Sequence, residues 1–191
     1  MDKRIVDNMR VRSTASKALI ELMKCRNFSE ISVTDIVNKA GIARQSYYRN
    51  FTCKEDLIRE YMLEIQKNTI KNLKQQNIAF FSPTFIKAIL DGLKPYADEM
   101  NAIYNSGLAN LVLNSINEIC EFYFGDMPSN SLARYQLYAL SGMIFNVEMK
   151  FLQGGAIADT SEIAEMIYSF STKEFIDNEI NLLAAKETYQ L

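Results

Sequence analysis

The fold of this chain is decided by the stretch Ile31-Ser32-Val33-Thr34-Asp35-Ile36-Val37-Asn38-Lys39-Ala40-Gly41-Ile42. Ser32 and Asp35 have the spacing of a shortened capping box, which predicts the start of a helix. The apolar residues that follow predict the buried face of a helix of about two turns. Gly41 ends this helix, because a tight turn between helices needs a residue that tolerates positive φ.

A second short helix is predicted from about Ala43 to Asn50, and Phe51 closes the unit. Two short helices joined by a tight turn and supported by a preceding helix form a helix-turn-helix. Short helix pairs also occur as structural corners, so spacing alone leaves that alternative open. The preceding helix is predicted from apolar residues that share one face, namely Val11, Ala15, Ala18, Leu19, Leu22 and Met23.

The rest of the chain is also predicted to be helical. Only 7 Gly and 3 Pro are present among 191 residues, and strands and hairpins need such turn residues. Further helices are expected from Lys54 to about Gln76, up to Leu93, at about 96–106 and 108–124, and at 132–152. Another should begin near Asp159, and a last one should lie between Phe175 and Leu191. The fold class is therefore all-α.

The two ends of the chain differ in charge. Residues 1–60 carry 12 Lys and Arg against 8 Asp and Glu, whereas residues 61–191 carry 9 against 15. A basic N-terminal part followed by an acidic C-terminal part is typical of a chain that binds a polyanion with its N-terminal part. A chance distribution of surface charge gives the same pattern.

Several classes of protein are disfavoured by composition. The chain has no His, which removes His-based triads, the common zinc sites and most general-base chemistry. Cys25, Cys53 and Cys120 form no C-x-x-C pair and favour a reduced, cytoplasmic chain. The first residues have no apolar run of a signal peptide, and no run is long enough to span a membrane. We therefore expect no catalytic residues, no metal, no cofactor and no membrane partner.

The helix-turn-helix residues resemble the TetR (tetracycline-repressor-like) family. The resemblance rests on the opening stretch together with Tyr47-Tyr48-Arg49-Asn50-Phe51 and Lys54-Glu55-Asp56-Leu57, and it covers about residues 10–58. Phe151-Leu152-Gln153-Gly154-Gly155 is similar to some Gram-positive members, including dihydroxyacetone-kinase-regulator-like ones. The family implies a three-helix DNA-binding domain, here residues 1–53, and a helical ligand-binding and dimerisation domain, here residues 54–191.

A recognition helix presents its N-terminal residues and one face to the major groove. Arg44, Gln45 and Ser46 stand at that N-terminus, where Arg pairs with guanine and Gln with adenine. The resemblance implies phosphate contacts from Tyr48, from Lys54 and from the helix start at Ser32 and Thr34, and Arg49 is a further phosphate candidate. Solvated surface residues are the alternative for all of them.

Three departures from the family pattern concern this region. Ala43 replaces a common Ser cap, Asn50 a frequent His and Cys53 a frequent Ser or Pro, which leaves the base preference open. Tyr47 is expected in the core rather than on DNA. Cys53 is expected to be an ordinary exposed thiol, with a redox-sensing thiol of lowered pKa as the alternative.

The segment 132–152 carries two apolar stripes, which must be covered on two sides. One stripe is expected to pack within the chain's own bundle and the other in a four-helix interface with a second copy, and burial of both within one chain is the alternative. The second stripe comprises Tyr138, Phe145, Met149 and Leu152. The residues predicted for the dimer interface are Leu137, Leu140, Ile144, Val147, Phe151, Ile163, Met166, Ile167 and Phe170.

The resemblance also implies a pocket for a small-molecule effector of unknown identity. Aromatic and Met side chains suit such a pocket, although the same residues are often plain core. The candidate lining residues are Tyr61, Tyr96, Tyr104, Phe122 and Met143.

Together these observations predict a sequence-specific, ligand-responsive repressor that acts as a homodimer on a palindromic double-stranded DNA operator. The alternatives are an activator of the same fold, a helical adaptor that has lost DNA binding, and an all-helical enzyme, for which the chain offers no clustered acid-base groups.

Overall fold

A computed structural model describes residues 3–75, residue 78 and residues 81–170. The predicted last helix, between Phe175 and Leu191, lies outside these residues. The described helices are α1 Lys3–Met23, α2 Val33–Ala40, α3 Arg44–Asn50, α4 Glu55–Gln75, α5 Pro83–Leu93, α6 Ala97–Ile103, α7 Ala109–Phe124, α8 Leu132–Gln153 and α9 Thr160–Phe170.

The prediction of an all-α chain is confirmed, since every regular element among the described residues is helical. Short 3₁₀ turns lie at Phe28–Glu30 and Lys94–Tyr96, and a π-helical turn at Tyr104–Leu108 joins α6 to α7. In the described part of the chain, none of the helices has the length and apolar character needed to cross a bilayer.

The chain divides into two compact units. The first comprises the described residues up to Asn68 together with Tyr96–Ser115, and the second comprises Thr69–Pro95 together with the described residues from Ile116 onward. The division after residue 53 that the resemblance implies stays a prediction.

Apolar burial by α1 holds the first unit together. Leu19 is fully buried, and Ile36 of α2 and Ile58 of α4 are buried as completely. Each such side chain contributes about 1.5–3 kcal/mol through removal from water. The predicted stripe of α1 is confirmed from Val11 to Met23, with Leu22 only half-buried.

Ion pairs connect α1 to α4 and to α6 within this unit. The Arg12 guanidinium pairs with Glu60, and Lys17 Nζ lies 2.6 Å from Glu64 Oε1. Lys24 Nζ lies 2.8 Å from Glu99 Oε1. Pairs this exposed contribute at most about 1 kcal/mol each, so they orient helices whose stability comes from the core.

In the second unit α5 packs on α9, and Thr160 Oγ1 donates to Asp91 Oδ1 at 2.9 Å. The connection from α7 to α8 is organised by Arg134. Its guanidinium pairs with Glu121 and donates to the carbonyls of Gly125 and Met127. This fixes the turn that returns the chain into α8.

Candidate nucleic-acid interface

The start of α2 is fixed by the predicted capping box. The amide of Asp35 donates to Ser32 Oγ at 3.1 Å, and the amide of Ser32 donates to Asp35 Oδ2 at 2.8 Å. Hydrogen bonds from Ser32, together with nearby Arg26, lower the pKa of Asp35 to about 2. The Ser32 hydroxyl is used in the cap. An anion would therefore bind at the exposed N-terminus of α2, where Thr34 is also exposed.

The turn between α2 and α3 is set by Gly41, which has φ 63° and ψ 35°. Its amide donates to the Asn38 carbonyl at 3.3 Å, and the amide of Ile42 donates to the Val37 carbonyl at 3.1 Å. These hydrogen bonds end α2 after Ala40 and fix the turn that leads into α3. Ala43 precedes α3 without a side-chain cap, as the sequence predicted.

The inner face of α3 carries Tyr47, whose exposed fraction is 1%. Its ring centroid lies 5.4 Å from that of Phe51 and 5.3 Å from that of Tyr48. Burial raises the pKa of Tyr47 to about 12, and its hydroxyl is buried without a hydrogen-bond partner among the described residues. Tyr47 is therefore a core residue, and that prediction is confirmed.

The outer face of α3 carries the predicted base-reading residues. Arg44 and Gln45 at its start are exposed, and Tyr48 is 55% exposed one turn later. Arg49 is exposed as well, and its guanidinium donates to Oγ of the half-buried Ser46 at 3.3 Å. With one aromatic face buried, α3 leaves its polar face accessible.

Arg44 is held in place by two side chains. Its Nη1 donates to Thr34 Oγ1 at 3.2 Å, and its Nη2 donates to the Tyr48 hydroxyl at 3.2 Å. The guanidinium carbon lies 5.6 Å from the centroid of the Tyr48 ring. Sequence analysis missed this arrangement, because Thr34 lies on α2 and only the turn at Gly41 brings it near Arg44.

Lys54 connects the start of α4 to the turn before α2. Its Nζ donates to the carbonyls of Phe28 and Ile31 at 2.7 Å each, and it lies 4.3 Å from the centroid of the Phe28 ring. An ammonium has three N–H donors, so one remains for a phosphate. The predicted phosphate contact stays a prediction, and Lys54 has in addition a structural role that the sequence did not suggest.

The residues just before α4 are also tied down. The carboxylate of Asp56 accepts from the amides of Thr52 and Cys53 at 2.8 and 3.1 Å. The pKa of the Cys53 thiol is raised, chiefly by partial desolvation. A thiol of raised pKa lacks the property of a reactive cysteine, which favours the expectation of an ordinary thiol over a redox sensor.

Comparison with known proteins adds an independent finding. Residues 17–61 match the family described as bacterial regulatory proteins, tetR family. This range contains α2, α3 and the start of α4. The match covers about a quarter of the chain, so it shows a likeness to this family over the helix-turn-helix segment.

The chain is also similar to the HTH-type transcriptional regulator AlkX of Mycobacterium tuberculosis (strain ATCC 25618 / H37Rv). The two are 27% identical over 92 residues, which cover 48% of this chain and 43% of AlkX. The chain therefore matches less than half the length of this curated relative. The placement in a Gram-positive subfamily stays a prediction.

The residues predicted for a dimer interface divide into two groups by their burial. Leu137, Leu140, Phe151 and Ile167 are buried within the single chain, so they have almost no surface left for a partner. This corrects the candidate dimer surface. The remaining predicted residues have surface to offer: Ile144, Val147 and Ile163 are half-buried, and Met166 and Phe170 are exposed.

The residues predicted for an effector pocket lie in both compact units. In the first, the ring centroids of Tyr61 and Tyr96 are 6.4 Å apart in an edge-to-face arrangement, and burial raises the pKa of Tyr61. Tyr104 is 38% exposed in the same unit. In the second, Phe122 is 45% exposed and Met143 is half-buried. That the five line one pocket stays a prediction.

Sequence analysis missed Glu148, a carboxyl residue on the buried face of α8. The signal was present, because Glu148 lies seven residues after Ser141 and eleven after Leu137, both on that face.

Proposed function

We propose that this chain is a DNA-binding transcription regulator that reads a double-stranded operator with the outer face of α3. The observation that carries the proposal is the exposed Arg44, held by Thr34 and Tyr48 at the start of a helix whose opposite face is buried. A guanidinium donates two parallel hydrogen bonds to guanine O6 and N7, and this pairing discriminates between bases by about 1–3 kcal/mol. Gln45 is placed on the same exposed surface and suits adenine.

Phosphate contacts supply the affinity that does not depend on sequence. The exposed start of α2 at Ser32 and Thr34 offers backbone amides and the positive end of the helix dipole. The Tyr48 hydroxyl, the Arg49 guanidinium and the remaining N–H of Lys54 complete the proposed phosphate-binding set.

The regulator acts as a homodimer on a palindromic site. Support comes from two exposed side chains of α8, Tyr135 and Tyr138, which are 66% and 48% exposed. Gly142 lies on the same face, and a Cβ added to it would meet no atom within 4 Å. Apolar side chains this exposed mark an interaction surface, and a glycine lets a second helix approach closely. Met166 and Phe170 of α9 extend the proposed surface. Two α3 helices about 34 Å apart would then enter successive major grooves.

The finer proposal is a repressor that a small molecule releases from DNA. The effector must bind one arrangement of the two DNA-reading domains more tightly than the other, since equal affinity shifts no equilibrium. The aromatic pair Tyr61 and Tyr96 in the first unit supports a binding role for this region.

The test begins with selection of tight-binding duplexes from a random library by the full chain. Titration of the selected duplex then compares wild type with Arg44→Ala, and with Lys150→Ala, which removes an exposed charge from α8 in the other unit. We expect Arg44→Ala to bind about ten-fold more weakly, with relaxed preference at one base per half-site, while Lys150→Ala matches wild type. Failure to select any sequence, or equal binding by Arg44→Ala, would contradict the proposal.

Dimerisation has a separate test. Light scattering of the full chain should give twice the chain mass, and Tyr138→Asp combined with Phe170→Asp should give the monomer mass while the helical circular dichroism is kept. A wild-type monomer at micromolar concentration would contradict the dimer without affecting the assignment of α3.

A further inference from the structure

Helix α8 buries a carboxyl group that has no partner among the described residues. Glu148 is 9% exposed and makes no hydrogen bond or ion pair with any other described residue. Burial of a charge is costly unless the charge is paired, so an unpaired buried carboxyl keeps its proton, and groups with such shifted pKa values cluster at functional sites.

The protonation of Glu148 reflects this isolation. Burial alone raises its pKa to about 8, and no charged residue contributes. Cys120 on the packed helix α7 is a titratable group that interacts with Glu148. Burial, together with the nearby charges of Glu148 and Glu121, raises the pKa of Cys120 to about 12. Cys120 is therefore a neutral thiol at pH 7, and because a cysteine is never cationic it cannot neutralise a carboxylate.

Other polar groups lie between the same two helices. Ser141, two turns before Glu148 on α8, is buried, and its Oγ donates to Asn117 Oδ1 of α7 at 2.5 Å. We call Asn117, Cys120, Ser141 and Glu148 the α7–α8 polar face. It places four polar groups where the two helices pack, and small-molecule sites combine a few such groups with apolar side chains.

A second copy of the chain does not supply the missing charge in the proposed dimer. The exposed stripe of α8 runs through Tyr135, Tyr138 and Gly142. Glu148 follows Gly142 by six residues, which places it about 120° around the helix from that stripe. A partner helix docked on the stripe would therefore not meet the Glu148 carboxylate.

We propose that the α7–α8 polar face binds a small organic cation and that the Glu148 carboxylate is its counter-ion. The proposal rests on the ligand-responsive function above, places the effector in the second unit rather than at the Tyr61 and Tyr96 pair, and gives it a chemical class. An ammonium supplies the opposite charge that the described residues do not place beside Glu148, whereas an anion would be repelled and a neutral molecule would leave the acid protonated. Ser141 and Asn117 offer hydrogen-bonding atoms to the rest of the ligand.

The test uses three cations of increasing size, ethylammonium, tetramethylammonium and benzyltrimethylammonium, and neopentylbenzene, the neutral isostere of the largest. Calorimetric titrations compare wild type, Glu148→Gln and the control Glu118→Gln, which changes an exposed carboxylate on α7. We expect wild type and Glu118→Gln to bind a cation with a Kd roughly ten-fold or more below that of the neutral isostere. In Glu148→Gln this ratio should fall to about one, while neopentylbenzene binds unchanged, which shows that the site is intact.

Proton release provides a readout that a purely structural Glu148 would not give. Because Glu148 holds its proton at pH 7, binding of a cation must release it, and titrations in Tris and in phosphate should differ by the buffer's heat of protonation. No binding of any of the three cations to wild type, or equal Kd values for wild type and Glu148→Gln, would overturn the proposal.

The same samples separate this proposal from the proposed function. Operator binding by wild type without any cation binding would refute the cation site and leave DNA binding standing. Cation binding that leaves operator affinity unchanged would support the site and refute ligand-responsive regulation.

Discussion

Replacement of Glu148 by Gln should change how the stability of the chain depends on pH. The pKa of this carboxyl is about 8 in the folded chain against 4.5 for an ordinary Glu. Between these values the unfolded chain has lost the proton that the folded chain keeps, so stability falls as pH rises through this window. One pKa unit corresponds to about 1.4 kcal/mol, and the wild type should therefore lose on the order of 2 kcal/mol between pH 5 and pH 7. Glu148→Gln should not show this loss.

The measurement is urea unfolding of wild type and Glu148→Gln at several pH values, followed by the helical circular dichroism. Protein concentration must be fixed, because association of folded chains adds to apparent stability. Glu118→Gln, changed at an exposed position of α7, should follow the wild-type curve. Parallel curves for wild type and Glu148→Gln would refute the view that burial keeps this carboxyl protonated.

Three further predictions concern the first unit. Gly41→Ala should lower the free energy of unfolding by about 1 kcal/mol in urea titrations, because φ is 63° while the space for a Cβ is open; an unchanged value would contradict the turn. Lys54→Met should lower the free energy of unfolding by about 1 kcal/mol, because two hydrogen bonds to backbone carbonyls are lost. If Lys54→Met is as stable as wild type, Lys54 has a phosphate role alone. Tyr48→Phe keeps the ring but removes the hydroxyl that accepts from Arg44, so duplex selection should show weaker preference at the base that Arg44 reads. A loss of affinity that is equal for all sequences would instead assign Tyr48 to phosphate alone.

The first unit was largely predictable because its signals are local. The capping box of Ser32 and Asp35 and the positive φ of Gly41 each depend on residues within one turn. The burial of Tyr47 follows from its spacing to Phe51. These features fix α2, α3 and the side of α3 that faces outward.

Contacts between distant residues were not predictable in the same way. Arg44 meets Thr34 only because of the angle between two helices, and Lys54 meets the Phe28 carbonyl across 26 residues. Helical spacing places residues on a stripe of α8 but does not say which element covers it. For this reason Leu137 was assigned to a partner although its own chain buries it, and the carboxyl group of Glu148 on the same face was overlooked.

The central claim, that Arg44 on α3 reads base edges of an operator, is tested most directly by changing single atoms of the DNA. Each guanine of a selected operator is replaced in turn by 7-deazaguanine, which lacks the N7 acceptor, and the Kd of wild type and Arg44→Ala is measured for each duplex. We predict one position per half-site at which the replacement weakens wild type about ten-fold and leaves Arg44→Ala unaffected. A wild type that tolerates every replacement, or an Arg44→Ala variant that loses affinity at the same positions, would contradict the account.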